Sequence, residues 1–290
     1  MGAVVRFARE GEGWPAPAKI NRFLHVTGQR ADGYHELQTV FQFLDYGDRL
    51  WFERLPGGLL ELTGGLPGVA TEDDLVFRAA RALQRLSGYP GGVRITLDKR
   101  LPVGGGLGGG SSDAATTLVA LNHLWQLGLD VHDLADLGLQ LGADVPVFVH
   151  GQAAWAEGVG ERLTPLDQLD SPWFLVLDPA LSISTAEIFS DPQLTRNTRP
   201  LKIPAFLSGA GANDLQAVVV RHYPEVANAL NWLSKYQPAR MTGSGACVFA
   251  AFPEEAEARA VLEQLPAPWT GFVARGCNRS PLMERLARAG

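Results

Sequence analysis

The stretch Leu101-Pro102-Val103-Gly104-Gly105-Gly106-Leu107-Gly108-Gly109-Gly110-Ser111-Ser112 carries six glycines between a β pattern and a helical one. Backbone without Cβ atoms can approach a ligand closely and take φ > 0 where needed. The helix that follows would present unpaired N–H groups and the positive end of its dipole to an anion. Ser111 or Ser112 could cap that helix or reach a phosphate or Mg2+. A flexible surface loop with a serine cap is the plainer reading, but so many glycines pressed between strand and helix disfavour it. The loop is not a Walker A sequence, because Ser111 stands where that motif needs lysine. Gly104-x-Gly106-x-x-Gly109 matches the dinucleotide fingerprint formally, yet the acidic candidates Asp130 and Asp133 lead into another helix instead of ending a strand. No HRD or DFG set follows, so a protein kinase is excluded.

Elements around the loop follow from periodicity. Ala18–Val26, Leu37–Leu44, Arg49–Arg54 and Val93–Leu97 read as strands, with Tyr46-Gly47-Asp48 as a break and Leu55–Gly68 as a hairpin tip. Leu75–Leu86, Ser112–Leu127 and Asp133–Leu141 have helical spacing. Val145–Val149, Ala153–Glu157, Trp173–Leu177, Cys247–Phe252 and Gly271–Arg275 read as strands, and Asp214–Arg221, Pro224–Leu233 and Glu254–Gln264 as helices. Mixed elements without a regular βαβ repeat indicate an α+β fold. Two domains are expected from 290 residues, with a boundary near Gly158, and Met1–Gly13 as a loose extension.

Composition narrows the partners. Hydrophobic residues at 46% and charged residues at 19% describe an ordinary globular chain. A net charge of −6 argues against nucleic acid, while leaving room for an anionic small molecule held by a few local groups. No apolar run is long enough to span a bilayer, and no membrane association is expected. Cys247 and Cys277 lack metal or disulfide spacing and are expected as small buried hydrophobes in a reducing cytoplasm. The scattered histidines suggest no transition-metal site.

Further segments give the loop a context. Pro-x-Gly-x-Gly-Leu-Gly-x-x-Ser-Ser is similar to the phosphate loop of the galactokinase, homoserine, mevalonate and phosphomevalonate (GHMP) kinases. Pro15-Ala16-Pro17-Ala18-Lys19-Ile20-Asn21 resembles their first motif, and Arg240-Met241-Thr242-Gly243-Ser244-Gly245-Ala246-Cys247 their third. Gly28-Gln29-Arg30-Ala31-Asp32-Gly33-Tyr34-His35-Glu36-Leu37 resembles the substrate signature of the diphosphocytidyl-methylerythritol kinases. Leu141-Gly142-Ala143-Asp144-Val145-Pro146-Val147-Phe148 resembles the segment bearing that family's catalytic aspartate. The motifs stand in the family's order.

The resemblance implies a two-domain GHMP-kinase fold, with an ATP-binding domain at 1–157 and a substrate-side domain at 158–290. It implies ATP and Mg2+, and a small-molecule acceptor, 4-diphosphocytidyl-2-C-methyl-D-erythritol, phosphorylated at its 2-hydroxyl in non-mevalonate isoprenoid synthesis. The expected state is a monomer or weak homodimer. Asp144 would accept the hydroxyl proton and Lys19 would offset charge on the migrating phosphoryl group. Lys99 and residues 102–112 would hold the nucleotide. Asn21 would bind the methylerythritol hydroxyls, Tyr34 and Phe189 would stack on cytosine with His35 at its polar edge, and Thr185 would line the same site. Without the resemblance, Lys19 reads as a solvated edge charge, Asp144 as an Asx-turn residue, Tyr34 and His35 as turn decoration, and Phe189 as core.

Three positions depart from the family pattern. Asp74 stands where asparagine would face the adenine, and a carboxylate accepts from its amino group but cannot donate to a ring nitrogen. Asp113 replaces another asparagine and adds negative charge near the phosphates. Ile183-Ser184-Thr185-Ala186 varies the loop before Phe189. Two alternatives stand beside this reading: another GHMP small-molecule kinase, which the Asp32-Gly33-Tyr34-His35 run opposes, and a catalytically silent nucleotide sensor, which would not need Lys19 and Asp144 together.

Overall fold

A computed structural model describes residues 12–289. The expected extension over Met1–Gly13 lies outside the described residues apart from Glu12 and Gly13. Two long strands, β1 (Trp14–Gln29) and β2 (His35–Leu55), form an antiparallel ribbon along which the other elements assemble. The expected break at Tyr46-Gly47-Asp48 does not occur. Gly47 lies opposite Pro17, where a Cβ would run into the Ala16 carbonyl, so glycine permits close crossing there and does not end the strand. The register slips between Pro17 and Lys19, an irregularity that re-aims the residues following it.

β3 (Leu60–Thr63) pairs parallel with β4 (Gly92–Asp98), which pairs antiparallel with β2. The Leu55–Gly68 region is therefore not a hairpin tip; β3 lies on the far side of β4 from β2. Between them α1 (Leu75–Ser87) buries Val76, Phe77, Ala79, Ala80 and Leu83 on one face, and ends at Gly88 in the left-handed conformation that glycine adopts without strain.

α2 (Gly109–Leu124) begins three residues before the expected Ser112 start. Its buried face holds Ala114, Ala115, Thr116, Thr117 and Ala120, small enough to bring the helix against β1, where the Thr116 hydroxyl donates to the Pro15 carbonyl at 3.1 Å. α3 (Val131–Leu139) starts on a capping box made by Asp130 and Asp133.

Val145–Val149, expected as a strand, is instead the body of α4 (Val145–His150). Every residue of that run is buried, so its apolar content reflects a core helix; β-branched composition does not distinguish the two when both faces are covered. Pro146 sits in the first turn, where its missing N–H costs nothing. Phe148 is fully buried, an arrangement that stabilises by about 1.5–3 kcal/mol.

β5 (Ala154–Gly158) pairs with β2 and with β6 (Arg162–Pro165). The remaining chain builds β7 (Trp173–Asp178), α5 (Thr185–Ser190), α6 (Ile203–Leu207), α7 (Asp214–His222), α8 (Pro224–Leu233), β8 (Ala239–Met241), β9 (Val248–Phe252), α9 (Glu255–Leu262), β10 (Thr270–Cys277) and α10 (Pro281–Ala289). The main strand order is β3-β4-β2-β10-β7-β9-β8, and β10 joins the halves by pairing with β2 at Gly276 and Cys277 and with β7 over Thr270–Arg275. Fold class is α+β, as expected. α10 has no counterpart in the sequence expectations; its Leu282 packs into the core that β1, β2, α1 and α2 share. Cys247 is buried, whereas Cys277 is only partly so. No helix among the described residues is long and apolar enough to cross a membrane.

Candidate active site

The glycine loop, β1 and the Thr242–Ser244 turn enclose a cleft of about 340 Å3. Gly104, Gly106 and Gly108 all have φ near +70°, which lets the loop turn back on itself. A Cβ on Gly106 would strike the Thr242 carbonyl, and one on Gly108 would come within 2.9 Å of Phe148 Cζ and 3.0 Å of Lys19 Cε. These glycines therefore seat the loop against protein as well as baring its backbone. The loop feeds α2 with Gly108 as its cap and no side-chain cap bond. The serine-cap expectation fails because the helix starts before either serine is reached. Ser111 lines the cleft; Ser112 is fully buried, its Oγ without a partner, and does not.

Lys19 is nearly buried and its ammonium is directed by three groups. Nζ donates to Asn21 Oδ1 at 2.6 Å and to the Gly106 carbonyl at 3.0 Å, and lies 3.4 Å from Asp144 Oδ2. Its backbone N–H donates to the Leu107 carbonyl at 3.0 Å. Lys19 is thus not an edge charge in solvent. Asp144 occupies the cap position of α4 but makes no cap bond. The Asx-turn alternative fails on that point: its carboxylate, a third exposed, faces the lysine and the cleft.

Asn21 lines the cleft, yet its amide is largely engaged. Oδ1 receives the lysine, Nδ2 donates to Thr39 Oγ1 at 3.0 Å, and the backbone N–H donates to Thr242 Oγ1 at 3.0 Å. Thr242 Oγ1 in turn donates to the Gly106 carbonyl at 3.2 Å. One network therefore ties β1, the first glycine loop and the second glycine-containing turn.

Leu66, Leu75, Pro102 and Val103 give the cleft an apolar wall. Asp74 does not face it. Its carboxylate caps α1 through Val76 N at 2.9 Å and accepts from Leu66 N at 3.3 Å, so the residue anchors the wall from behind. Lys99 borders the cleft, but its ammonium is held by Asp48 at 2.5 Å and Asp113 at 2.8 Å. Burial opposes that charge, and the two carboxylates outweigh it, so the lysine pKa is raised. Burial pushes the Asp113 carboxyl well above the usual carboxylate range, with Lys99 pulling against it and Asp48 adding to it. The negative charge expected of Asp113 is thus disfavoured by burial and by Asp48, with Lys99, shared between the two carboxylates, acting in its favour. Asp48 also accepts from the backbone N–H groups of Arg100 and Leu101, making this cluster the footing of the loop.

A second cavity of about 730 Å3 adjoins the first and shares Leu37, Val159, Thr185 and Phe189 with it. Tyr34 is 64% exposed on its rim. His35 is buried, with its ring 4.9 Å from Phe189 at 33°. Thr185 and Ser244 share a hydroxyl–hydroxyl bond of 2.7 Å that joins α5 to the second glycine turn. Tyr34, His35, Thr185 and Phe189, expected on the substrate side, are therefore gathered in one slot that adjoins the cleft, while Asn21 lies in the cleft itself against Lys19.

A family model for the GHMP kinases N terminal domain matches residues 74–152, and one for the GHMP kinases C terminal matches 194–271. The chain is 62% identical over 278 residues to 4-diphosphocytidyl-2-C-methyl-D-erythritol kinase of Halorhodospira halophila, covering 95% of this chain and 96% of that one. The protein of the same name from Nitrosococcus oceani is 56% identical, with 96% and 99% covered. The chain belongs to the GHMP kinase family, among its 4-diphosphocytidyl-2-C-methyl-D-erythritol kinases. A crystal structure of 4-(cytidine 5'-diphospho)-2C-methyl-D-erythritol kinase superposes with a TM-score of 0.81 at 36% identity, covering 91% of this chain and 99% of that one. A mevalonate kinase crystal structure superposes at 0.65 with 14% identity, a likeness of fold alone.

As a member of this family the chain is an ATP-dependent small-molecule kinase. The kinase carries site residues that its motifs did not reveal. Thr39 and Thr242 direct Asn21, Asp48 anchors the loop, and Leu66 lines the cleft. Thr242 lay inside a motif; Thr39, Asp48 and Leu66 carried no local signal, since strand pairing brings in the first two and the Asp74 carboxylate holds Leu66.

Proposed function

We propose that the chain transfers the γ-phosphoryl group of ATP to the 2-hydroxyl of 4-diphosphocytidyl-2-C-methyl-D-erythritol, giving ADP and the 2-phosphate, as a step of non-mevalonate isoprenoid synthesis. The observation that carries this reading is Asp144, left without any capping duty and 3.4 Å from Lys19 in the glycine-loop cleft, next in sequence to Ala143, which lines the adjoining aromatic slot. A carboxylate freed of a turn role beside a buried ammonium is costly as structure and useful as chemistry.

The glycine loop and the first turn of α2 bind the nucleotide phosphates through backbone N–H groups, and the Leu66–Val103 wall receives the adenine. The acceptor's cytidine end occupies the Tyr34–His35–Phe189 slot, which leaves its diol end reaching toward Asp144. Asp144 takes the proton of the acceptor hydroxyl as its oxygen bonds to the γ-phosphorus and the bond to the β,γ-bridging oxygen breaks. Lys19 stabilises charge on the moving group, and Asn21 orients Lys19 through its carbonyl oxygen. Its second amide N–H is left for an acceptor hydroxyl.

The oxygen donors present fit Mg2+. No group of three His, Cys, Asp or Glu suited to a metal occurs among the described residues, and Ser111 offers a hydroxyl at the phosphate end. That set suits an ion held chiefly by the phosphates, and when bound it would neutralise their charge.

The division into 1–157 and 158–290 is part of the proposal. The first large core draws on residues from Trp14 to Ala156 with Leu282, and the second on Leu175–Val261 with Leu24 and Val26. So are a monomer or weak homodimer and a cytoplasmic setting, the latter in keeping with two free cysteines.

A coupled ADP-release assay tests the reading. ADP should appear with the cytidyl acceptor and Mg2+, and not with mevalonate, homoserine or no acceptor; equal turnover of mevalonate would overturn the substrate assignment.

A further inference from the structure

Arg196 lies between α5 and α6, far in sequence from the motifs, and its side chain reaches back into the wall of the slot. Its guanidinium makes four directed bonds. Nε donates to His35 Nε2 at 3.0 Å, Nη1 to the Leu194 carbonyl at 3.1 Å, and Nη2 to the carbonyls of Phe189 at 2.8 Å and Asp191 at 2.9 Å. Three of the acceptors are backbone oxygens around the end of α5; the fourth is a ring nitrogen. The arginine is therefore clamped by the turn it closes, and the clamp aims its Nε–H at one atom of His35.

A guanidinium has donors only, so the ring nitrogen it meets must carry a lone pair. A neutral imidazole with Nε2 unprotonated holds its hydrogen on Nδ1. Burial first, and the positive charge of Arg196 second, push the His35 pKa below its ordinary value, in keeping with a neutral ring. Phe189, whose carbonyl Arg196 also holds, packs against the ring and limits its rotation.

We propose that Arg196 is a positioning residue that sets base selectivity: it holds His35 as the Nδ1–H tautomer, so that the slot offers a donor and selects a pyrimidine edge with an unprotonated ring nitrogen. This rests on the cytidyl reading of the slot. Cytosine presents N3 as an acceptor, whereas uracil carries a hydrogen on N3. An unrestrained imidazole could exchange tautomers and meet either base. With Nε2 tied to Arg196 it cannot, and uracil sets donor against donor. A purely structural role, stapling the end of α5, would leave selectivity between the bases untouched.

Two measurements on the full-length protein decide this. Long-range 1H–15N NMR of the histidine rings, with His35→Gln for assignment, should show His35 protonated on Nδ1 alone; a proton on Nε2 overturns the proposal without any Arg196 variant. Steady-state kinetics should then compare the cytidyl acceptor with its uridyl counterpart. In Arg196→Met the cytidyl-to-uridyl ratio of kcat/KM should fall about tenfold or more, the scale of one mispaired buried donor. The change should lie in the acceptor KM, with KM for ATP and kcat near wild type. Arg196→Lys keeps a charged donor and should recover part of the ratio and the Nδ1–H signature. Loss of folded protein with an unchanged ratio in the folded fraction would leave Arg196 a staple and overturn the proposal. Failure of the wild type to use the cytidyl acceptor at all, with the NMR signature intact, would remove the cytidyl reading and the selectivity with it; normal turnover with an unchanged ratio would remove only the role of Arg196.

Discussion

The two ends of the site are made in opposite ways. The end proposed for the phosphates is built largely from backbone in one continuous stretch, residues 101–112, whose glycines alternate through positive φ and deliver the chain into the N-terminus of α2. Its supports are buried charges: Lys19 against the Gly106 carbonyl and Asp144, and Lys99 between Asp48 and Asp113. The end proposed for the acceptor's base is built from side chains collected across the chain, with His35 and Arg196 separated by 161 positions and Tyr34 largely in solvent. A phosphate is the same on every nucleotide, so a backbone cradle serves it; a base must be told from other bases, which takes side-chain shape and hydrogen-bond polarity. The first end should therefore govern the rate of transfer and the second the choice of acceptor.

The largest test of that division is at Asp144. Asp144→Asn should lower kcat by about 10²–10⁴-fold, the usual scale of a general base, with acceptor KM little changed. Thermal stability should hold, because the carboxylate makes no cap bond that asparagine would lose. Single-turnover rates on nucleotide-saturated enzyme make the measurement, and near wild-type transfer would return Asp144 to a turn role. Lys19→Met should produce a comparable loss, and the double variant should be far less impaired than the product of the two, since both serve one step.

Gly108→Val comes next and should fail twice over. A side chain there meets strain at φ 71° and collides with Phe148 and Lys19, so both ATP affinity and kcat should fall. Calorimetry showing unchanged nucleotide affinity would count against the seating of the loop described above.

At the other end the effects should be smaller and confined to the acceptor. Tyr34→Ala should raise KM for the cytidyl acceptor by roughly 5- to 150-fold, corresponding to the 1–3 kcal/mol of a base stack, with KM for ATP unmoved. Movement of both KM values together would mean the two ends are not separable. The smallest effect concerns pH. The His35 pKa lies below 6.5 in the folded state, so the unfolded chain takes up the proton more readily. The stability contributed by the neutral His35–Arg196 pair is then complete above about pH 6.5 and declines as the pH falls below it. Urea midpoints at pH 7.5 and 5.5 should converge for His35→Gln relative to wild type; a larger fall in the variant would contradict the sign.

Much of this was legible from residue order. The glycine loop, the strand before it and the helix after it follow from composition and spacing, as do α1 with its Gly88 stop and α8, because turns, caps and amphipathic faces are local interactions between near neighbours. The α4 run read as a strand because burial on every side erases the periodicity that separates helix from strand. Lys99 read as a nucleotide contact and Asp74 as a departure at the adenine position, and tertiary pairing gave the lysine a carboxylate pair and the aspartate an α1 cap. By itself the order of residues determined which stretch of backbone could hold a phosphate, whereas Lys19 and Asp144 stood out only through the resemblance to the GHMP kinases. Only the tertiary structure decided that Asp144 turns from its helix toward Lys19, that Asp48 underpins the loop, and that Arg196 fixes the histidine of the slot. Those choices depend on which distant hydrogen-bond partners compete for the same buried atoms, and that competition is settled only when the sheet and helices pack together.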